Sequence, residues 1–306
     1  MPEFINFNSL VDDIVTQDGL SAIRPVIEKE LLHYDILFCL AQSGLLKNLI
    51  FQGGTSLRLC YNANRFSEDL DFAGGRDFCS ADLSKIKSCI ESYLGKRYGL
   101  EVTVKEPAEL RKEPDYADVK IDKWQISVTT APERRDLPKQ RIKVEIANIP
   151  AYTRNLRALS RNYDVLPDGY SETVVQVENL TEIMADKLVS FPATTRYIRY
   201  RDMWDLVWLH QQGAEPDIEL ISAKLADYQL QTTFELLQSR IDSIEPIIAT
   251  GKFQTEMKRF IPAPVYNRTL GQPDFMVYLS NTLKDMLSAV QNMLDGKKPG
   301  NIPFRM

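Results

Sequence analysis

Apolar and polar residues follow two different patterns along the chain, one before residue 178 and one after it. Between residues 101 and 178 they alternate over several short segments, and a period of two predicts strands with one buried face. From residue 179 onward the apolar residues recur mainly at helical spacing. We therefore predict an α/β (α+β) domain in residues 1–178 and a helical domain in residues 179–306.

The same patterns predict the individual elements of the first domain. Helical spacing of apolar residues in residues 1–48 predicts a long helix, which Pro25 can break. Residues 81–98 are amphipathic as well, and they predict a helix that covers the sheet. Strands are predicted at Leu49–Phe51, Asp69–Phe72, Glu101–Lys105, Val119–Asp122, Gln125–Thr130, Arg141–Ile146 and Val174–Val177.

Two glycines stand where the first predicted strand meets a helix that begins near Thr55. Because glycine has no Cβ atom, the backbone at Gly53 and Gly54 can approach a ligand closely. The free N–H groups and the positive end of the helix dipole favour a phosphate at this turn. A Gly-Gly pair is also common punctuation before a helix, so this feature alone does not establish a nucleotide site.

Two aspartates follow on the next predicted strand. Alternation sends Asp69 and Asp71 to one face of the sheet, and it sends Leu70 and Phe72 into the core. Two carboxylates on one face repel each other unless a cation lies between them, and oxygen ligands of this kind suit Mg²⁺ or Mn²⁺. The pair predicts half of a two-metal phosphoryl-transfer site, and a solvated strand edge is the alternative.

Composition argues against several other classes of protein. The 306 residues carry a formal net charge of −5, which is not typical of a general nucleic-acid-binding protein. The four cysteines contain no C-x-x-C pair and only two histidines are present, which argues for free thiols and against a zinc site or a histidine triad. The chain shows no signal peptide and no apolar run of the roughly 18 residues that a membrane span needs, so we expect a cytoplasmic protein without membrane contact.

The glycine turn and the aspartates together form a more specific motif than either alone. The order Gly-Gly-[Ser/Thr], helix, Asp-x-Asp on the next strand resembles the nucleotidyltransferases of the DNA polymerase β superfamily. The longer strings GGTSLR and RFSEDLDF resemble the AbiEii/AbiGii family of bacterial toxin nucleotidyltransferases. Competing phosphate motifs, the P-loop and the dinucleotide fingerprint G-x-G-x-x-G, are absent from the sequence.

This resemblance implies a polymerase β-like core with a mixed sheet, in which Asp69 and Asp71 hold Mg²⁺ or Mn²⁺. The implied nucleotide-binding residues are Lys187 and members of the two strings, namely Gly53, Gly54, Thr55, Ser56, Arg58 and Ser67. The resemblance also implies transfer of NMP from an NTP to an RNA 3′ end, tRNA in particular, with release of pyrophosphate. Such a protein would be the growth-arresting toxin of an abortive-infection, phage-defence system, with a cognate antitoxin encoded nearby.

The polymerase β pattern includes a third metal-binding carboxylate on a strand beside the Asp-x-Asp strand. On the polar face of Arg141–Ile146 lie Arg141, Lys143 and Glu145, and Glu145 is the best candidate. Asp122 and Asp118 are weaker candidates. A solvated strand face with mixed charges is the alternative interpretation of Glu145.

Arg154, Arg157 and Arg161 would form one basic stripe if residues 150–169 were helical. Such a stripe would be a suitable contact for an RNA backbone, although a solvated face is the simpler interpretation.

In the second domain, Asn179 predicts the start of a helix whose apolar stripe lies beside Lys187. AbiEii-like enzymes carry a lysine on the first helix after the core and an aspartate on the next helix, and Lys187 and Asp202 match this pattern. The resemblance therefore implies that both residues act in catalysis. The alternative is structural, with the Lys187 ammonium in solvent and with Asp202 and Asp205 paired to nearby arginines.

Two functions of other classes are also compatible with the sequence. One is an enzyme that nucleotidylates or phosphorylates a protein side chain, and the other is a non-catalytic NTP-binding module. No base-reading element is apparent, so the choice of NTP stays open.

Overall fold

A computed structural model of the chain describes residues 5–16, 20–110, 121–134, 138–167, 169–230 and 234–296. The chain divides into two compact units, Met1–Glu178 and Asn179–Met306. The first unit combines a mixed sheet with helices, and the described residues of the second unit form helices. The predicted α/β class is therefore confirmed.

The elements of the first unit alternate between helices and short strands. Its helices are α1 (Phe7–Val15), α2 (Arg24–Gln42), α3 (Gly53–Tyr61), α4 (Ile86–Tyr98) and α5 (Pro107–Leu110), with 3₁₀ turns at Ser21–Ile23 and Ser80–Leu83. Its strands are β1 (Ile50–Gln52), β2 (Leu70–Ala73), β3 (Val102–Lys105), β4 (Ile121–Val128), β5 (Gln140–Ala147), β6 (Asn155–Ala158) and β7 (Val174–Val177).

The strands form one mixed sheet in the order β3-β4-β5-β2-β1-β7-β6. Strand β2 runs parallel to β5 and β1 runs parallel to β7, and the other neighbours are antiparallel. In the centre of the sheet, Phe51, Phe72 and Ile146 are direct neighbours on one buried face, and the two phenylalanine rings stack with centroids 5.0 Å apart. Apolar contacts of this kind hold the central strands in register.

The opposite face of the same strands carries a line of polar residues. Gln52 on β1 pairs with Asp71 on β2, Asp71 pairs with Glu145 on β5, and Glu145 pairs with Lys123 on β4. Residues that are directly paired point to the same side of a sheet. We call Gln52, Asp71, Glu145 and Lys123 the polar row.

Helix α2 is the long buried helix of this unit, and it packs against α1, α4 and β5. The sequence predicted a long helix in residues 1–48 that Pro25 can break, and the structure has two separate helices, α1 and α2. Pro25 does not break a helix; it lies in the first turn of α2, where a missing N–H group is tolerated.

Two other predictions for this unit are wrong. Val119–Asp122 and Gln125–Thr130 were predicted as separate strands, but alternation continues through Lys123 and Trp124, and the described residues form the single strand β4. Val119 and Lys120 lie outside the described residues. Residues 150–169 contain no basic helix in their described part, because Asn155–Ala158 forms β6 and pairs with β7.

The helices of the second unit begin directly after β7. They are α6 (Leu180–Ala193), α7 (Tyr200–Gln211), α8 (Ile218–Asp227), α9 (Phe234–Ala249), α10 (Lys252–Met257), α11 (Ala263–Arg268) and α12 (Pro273–Leu294). Asn179 caps α6 as the sequence predicted, since its side chain accepts the Glu182 N–H group at 2.8 Å. No helix in the described ranges has the length and apolar character that crossing a membrane requires.

Candidate active site

The glycine turn and the Asp-x-Asp strand, predicted as two halves of one motif, are in contact. Gly53 is the first residue of α3 and has a φ angle of +76°, a region that favours glycine. A Cβ atom at Gly53 would lie 2.7 Å from Oδ2 of Asp71, closer than side chains approach one another. The Asp71 carboxylate therefore lies against the N-terminal turn of α3.

The second glycine makes room for an arginine. A Cβ atom at Gly54 would overlap Nη2 of Arg65 and lie 3.0 Å from Oγ of Ser67. Arg65 is only 3% exposed, and its Nη1 donates to the Phe66 carbonyl at 2.8 Å. A buried guanidinium thus lies at the start of α3. Arg65 stands in the string RFSEDLDF, but no periodicity marks it, so its place in the site was not predicted from the sequence.

The hydroxyl groups of the turn bind main-chain carbonyls. Thr55 Oγ1 donates to the carbonyl of Asp69 at 2.5 Å, and Ser56 Oγ donates to the carbonyl of Gly53 at 2.8 Å. Both side chains are buried. The bond from Thr55 ties α3 to the start of β2. The groups that this turn can present to an anion are its main-chain N–H groups, which lack intrahelical acceptors.

Two of the three predicted metal-binding carboxylates lie on one side of the sheet, and the third belongs to the residue just before β2. Asp71 and Glu145 are neighbours in the polar row, and Asp69 precedes Asp71 by two positions. Oδ1 of Asp69 accepts the main-chain N–H of Lys143 at 3.0 Å, which ties this carboxylate to β5. Oε1 of Glu145 lies 3.6 Å from Nζ of Lys123 and 3.8 Å from Nζ of Lys143.

The donor atoms on this face fit a divalent cation in type. Carboxylate oxygens are the ligands that Mg²⁺ and Mn²⁺ prefer. Oε1 of Gln52, next to Asp71 in the polar row, is buried and has no hydrogen-bond partner in the described part of the chain. Gln52, at the end of β1, is an oxygen donor that no sequence motif marks. Across the described ranges, however, no three His, Cys, Asp or Glu side chains come close enough together to hold a metal ion.

The alternative carboxylates are less suitable than Glu145. Asp122 pairs with Ile146, so it points to the opposite side of the sheet from Asp71, and it is only 4% exposed. Its selection as a substitute is therefore wrong. Asp118 lies outside the described residues.

Arg58 has structural partners. Its guanidinium forms two bonds with the buried carboxylate of Glu30 on α2, at 2.9 and 3.1 Å, and a third with the carbonyl of Ala63 at 3.1 Å. It also stacks over the ring of Phe66 at 4.4 Å. These contacts hold α3 on α2, and they do not support the predicted contact of Arg58 with nucleotide.

In the second unit, Lys187 is buried between two carboxylates of α7. Its Nζ lies 2.9 Å from Oδ1 of Asp202 and 2.7 Å from Oδ2 of Asp205, and all three side chains are at most 7% exposed. Arg199 also pairs with Asp202. Burial alone would raise the pKa of Asp202, but the charges of Lys187 and Arg199 outweigh it and hold that pKa well below its usual range.

The alternative interpretation of Lys187 as a solvent-exposed cation is thus wrong. The predicted structural pairing of Asp202 with Arg199 is present, together with the pairing to Lys187. The pairing of Lys187 with Asp205 was not predicted, because it depends on how α6 packs against α7.

One family model matches the part of the chain that contains the motif. The model of the family described as nucleotidyl transferase AbiEii toxin, type IV TA system, matches residues 35–281. A putative nucleotidyltransferase from H. pylori is similar in structure, with 18% identity, coverage of 89% of this chain and 96% of that chain, and a TM-score of 0.48. JHP933 from Helicobacter pylori gives 18% identity, coverage of 89% and 94%, and a TM-score of 0.46. No match was found among curated proteins.

The family match includes the glycine turn, the Asp-x-Asp strand, Glu145, Lys187 and Asp202. It covers most of the chain. The protein therefore belongs to the AbiEii family of type IV toxin-antitoxin nucleotidyltransferases.

Proposed function

We propose that this nucleotidyltransferase is the metal-dependent toxin of an abortive-infection system that protects against phage. It transfers NMP from an NTP to the 3′ end of an RNA, with tRNA as the expected acceptor, and releases pyrophosphate. The observation that carries this proposal is the contact between Asp71 and Gly53, with Glu145 next to Asp71 in the polar row. It brings acidic oxygen donors to the N-terminus of a helix.

The N-terminal turn of α3 is the proposed triphosphate site. Its main-chain N–H groups point out of the helix end, and the helix dipole adds a partial positive charge. Gly53 and Gly54 keep the approach open, while the hydroxyls of Thr55 and Ser56 brace the turn. Arg65, whose guanidinium lies against Gly54, adds a full positive charge at the same place.

Asp69, Asp71 and Glu145 are the proposed holders of Mg²⁺ or Mn²⁺. When bound, such an ion neutralises charge on the triphosphate and favours departure of pyrophosphate. The protein supports this arrangement in two ways. The N–H group of Lys143 orients Asp69, and the ammonium groups of Lys123 and Lys143 reduce the repulsion between the carboxylates.

Lys187 is the proposed cation of the second unit, and Asp202 is its positioning residue. The carboxylates of Asp202 and Asp205 hold the ammonium from two directions. A lysine side chain that is already held in one position loses little conformational entropy when it binds a phosphate.

RNA contact in a chain of net charge −5 requires a local basic surface. Arg154 and Arg157 are exposed at β6, and the Arg157 guanidinium lies 4.4 Å from the ring of Tyr61. These residues are the proposed contacts with the RNA backbone. Arg161 is less available, because its Nη2 donates to the carbonyls of Asp164 and Leu166.

A labelling experiment tests the proposal. The protein is incubated with each α-labelled NTP in turn and with either total RNA or a protein extract, in parallel with Asp71→Asn. Label on an RNA the size of tRNA, absent with Asp71→Asn, supports the proposal. Label on proteins would support the protein-modifying alternative, and NTP retention without transfer would identify a binding module.

The cognate antitoxin encoded nearby is the proposed partner of this toxin. Its co-expression should restore growth when the toxin is induced. Restoration without a stable complex would place the antitoxin upstream of the enzyme, for example in control of its synthesis.

A further inference from the structure

Two cysteines of the first unit lie together where α2 packs against α4. Cys39 belongs to the buried part of α2, and Cys89 lies in the first turn of α4 and is half-buried. Sγ of Cys89 is 3.4 Å from the carbonyl oxygen of Cys39 and 3.1 Å from Oγ of Ser43. The Cys89 side chain therefore lies against the backbone of Cys39 at the contact between the two helices.

The two thiols differ in acidity and access. Hydrogen bonding from Cys39, reinforced by Ser43, lowers the pKa of Cys89 to about 6. The same contact with Cys89, together with burial, raises the pKa of Cys39. Cys89 is therefore the more acidic thiol of the pair, and Cys39 is the one that keeps its proton more firmly. Thiolates are the reactive form of cysteine, and a position near a helix N-terminus stabilises them.

We propose that Cys89 and Cys39 form a peroxide-reactive pair that closes into an intramolecular disulfide. The Cys89 thiolate attacks one oxygen of the peroxide, the O–O bond breaks, and Cys89 becomes a sulfenic acid as hydroxide (or alkoxide) departs. The sulfur of Cys39 then attacks the Cys89 sulfur. The S–O bond breaks, water leaves with the Cys39 proton, and the S–S bond forms.

Cys39 lies on α2, and the same helix also contacts the residue that precedes Asp69. On α2, Nζ of Lys29 pairs with Oε1 of Glu68 at 2.7 Å, and Nε2 of His33 lies 3.0 Å from the Glu68 carbonyl. Glu68 directly precedes Asp69. The disulfide would tie α4 to this same helix.

Peptide mapping of the full-length protein tests the proposal. Reduced protein is treated with hydrogen peroxide, its free thiols are alkylated, and its peptides are separated without reductant. We expect a Cys39–Cys89 linked peptide that lacks two hydrogen atoms. The rate of Cys89 oxidation should rise about tenfold per pH unit below pH 6 and level off above it, because only the thiolate reacts.

Three comparisons make the result specific. Cys79 is exposed and lies outside the pair, so it reports the reactivity of an accessible thiol. Cys39→Ser should stop the reaction at the Cys89 sulfenic acid, which dimedone captures, and Ser43→Ala should shift the pH profile of Cys89 upward. A folded protein whose Cys89 reacts no faster than Cys79 and yields no linked peptide would overturn the proposal.

Discussion

Gly53 and Asp71 approach each other so closely that only a residue without a side chain fits at position 53. A Cβ atom there would lie 2.7 Å from Oδ2 of Asp71 and 3.3 Å from its Cβ. The start of α3 and the middle of β2 are thus in direct contact. The N-terminal end of a helix and an acidic strand share one location.

The Gly53→Ala variant should be less stable than the wild-type protein and should have less transfer activity. The backbone strain at φ +76° costs about 1 to 3 kcal/mol, and the contact with Asp71 displaces the carboxylate as well. Gly75→Ala is the matched control, since Gly75 has a φ of +85° with nothing within 4 Å of its Cβ position. Denaturant unfolding and a transfer assay measure the two effects. Equal activity in the two variants would contradict the role of the contact.

Asp71→Asn should reduce kcat by roughly 100- to 1000-fold, the loss expected when a group that stabilises transition-state charge is removed. Its stability should be unchanged or higher, because Asp71 neighbours Glu145 and the repulsion between them is relieved. Asp77→Asn, an exposed change beyond β2, is the control. Near-normal turnover of Asp71→Asn would remove Asp71 from the site.

Induced expression without the antitoxin should arrest bacterial growth, and Asp69→Asn should abolish the arrest. Asparagine retains an oxygen that can accept the Lys143 N–H group, so the variant should stay folded. Growth curves at matched protein levels provide the measurement. If wild type and Asp69→Asn permit the same growth, the protein is not acting as a toxin through this site.

Lys187→Met should destabilise the second unit by about 3 to 5 kcal/mol, because it leaves Asp202 and Asp205 buried without their shared cation. Combining Lys187→Met with Asp202→Asn and Asp205→Asn should recover much of the stability, because the three buried charges are removed together and Arg199, which loses Asp202, is about one-third exposed to solvent. If this triple variant is folded and still within threefold of wild-type activity, Lys187 has no catalytic role.

Loss of the proton from Asp35 should make the first unit less stable as the pH rises. Burial raises the pKa of Asp35 from 3.8 to about 6, against the opposing effects of Arg97, Tyr170 and Tyr98. Between these values the folded state retains a proton that the unfolded state has released. The contribution of Asp35 to the free energy of unfolding is therefore fully present below pH 4 and is lost as the pH passes 6. The change is about 3 kcal/mol.

Asp35→Asn is the matched variant for this prediction, because asparagine does not titrate. The difference in unfolding free energy between wild type and variant should fall as the pH is raised from 4 to 7. All other titrations are common to both proteins and cancel. A difference that is independent of pH would show that Asp35 does not change protonation in this range.

Local sequence patterns were sufficient to predict the strand, the turn and the helix around Gly53. Alternation also predicted that Leu70 and Phe72 are buried and that Asp71 points to the other face, as the structure shows. Both features depend only on neighbouring residues. The pairing of Asp71 with Glu145 followed from the family resemblance, because no local pattern specifies which strand lies beside β2.

The features that the sequence did not predict depend on contacts between distant segments. Arg154, Arg157 and Arg161 have a spacing that suits a helix, but pairing with β7 makes a strand of the residues between them. Arg58 was selected for nucleotide, yet its partner Glu30 lies on another helix. Lys187 was expected on a helix flank, and its burial results from the aspartates of α7.

The polar row depends on the alignment of strands that are far apart in the chain. A shift of β5 by one residue against β2 would put Val144 or Ile146 beside Asp71 in place of Glu145. Helix α4 and strands β3 and β4 must be synthesised between β2 and β5 before this alignment can form. A chain that is still emerging from the ribosome therefore carries Asp71 without its neighbour Glu145 until translation has passed β5.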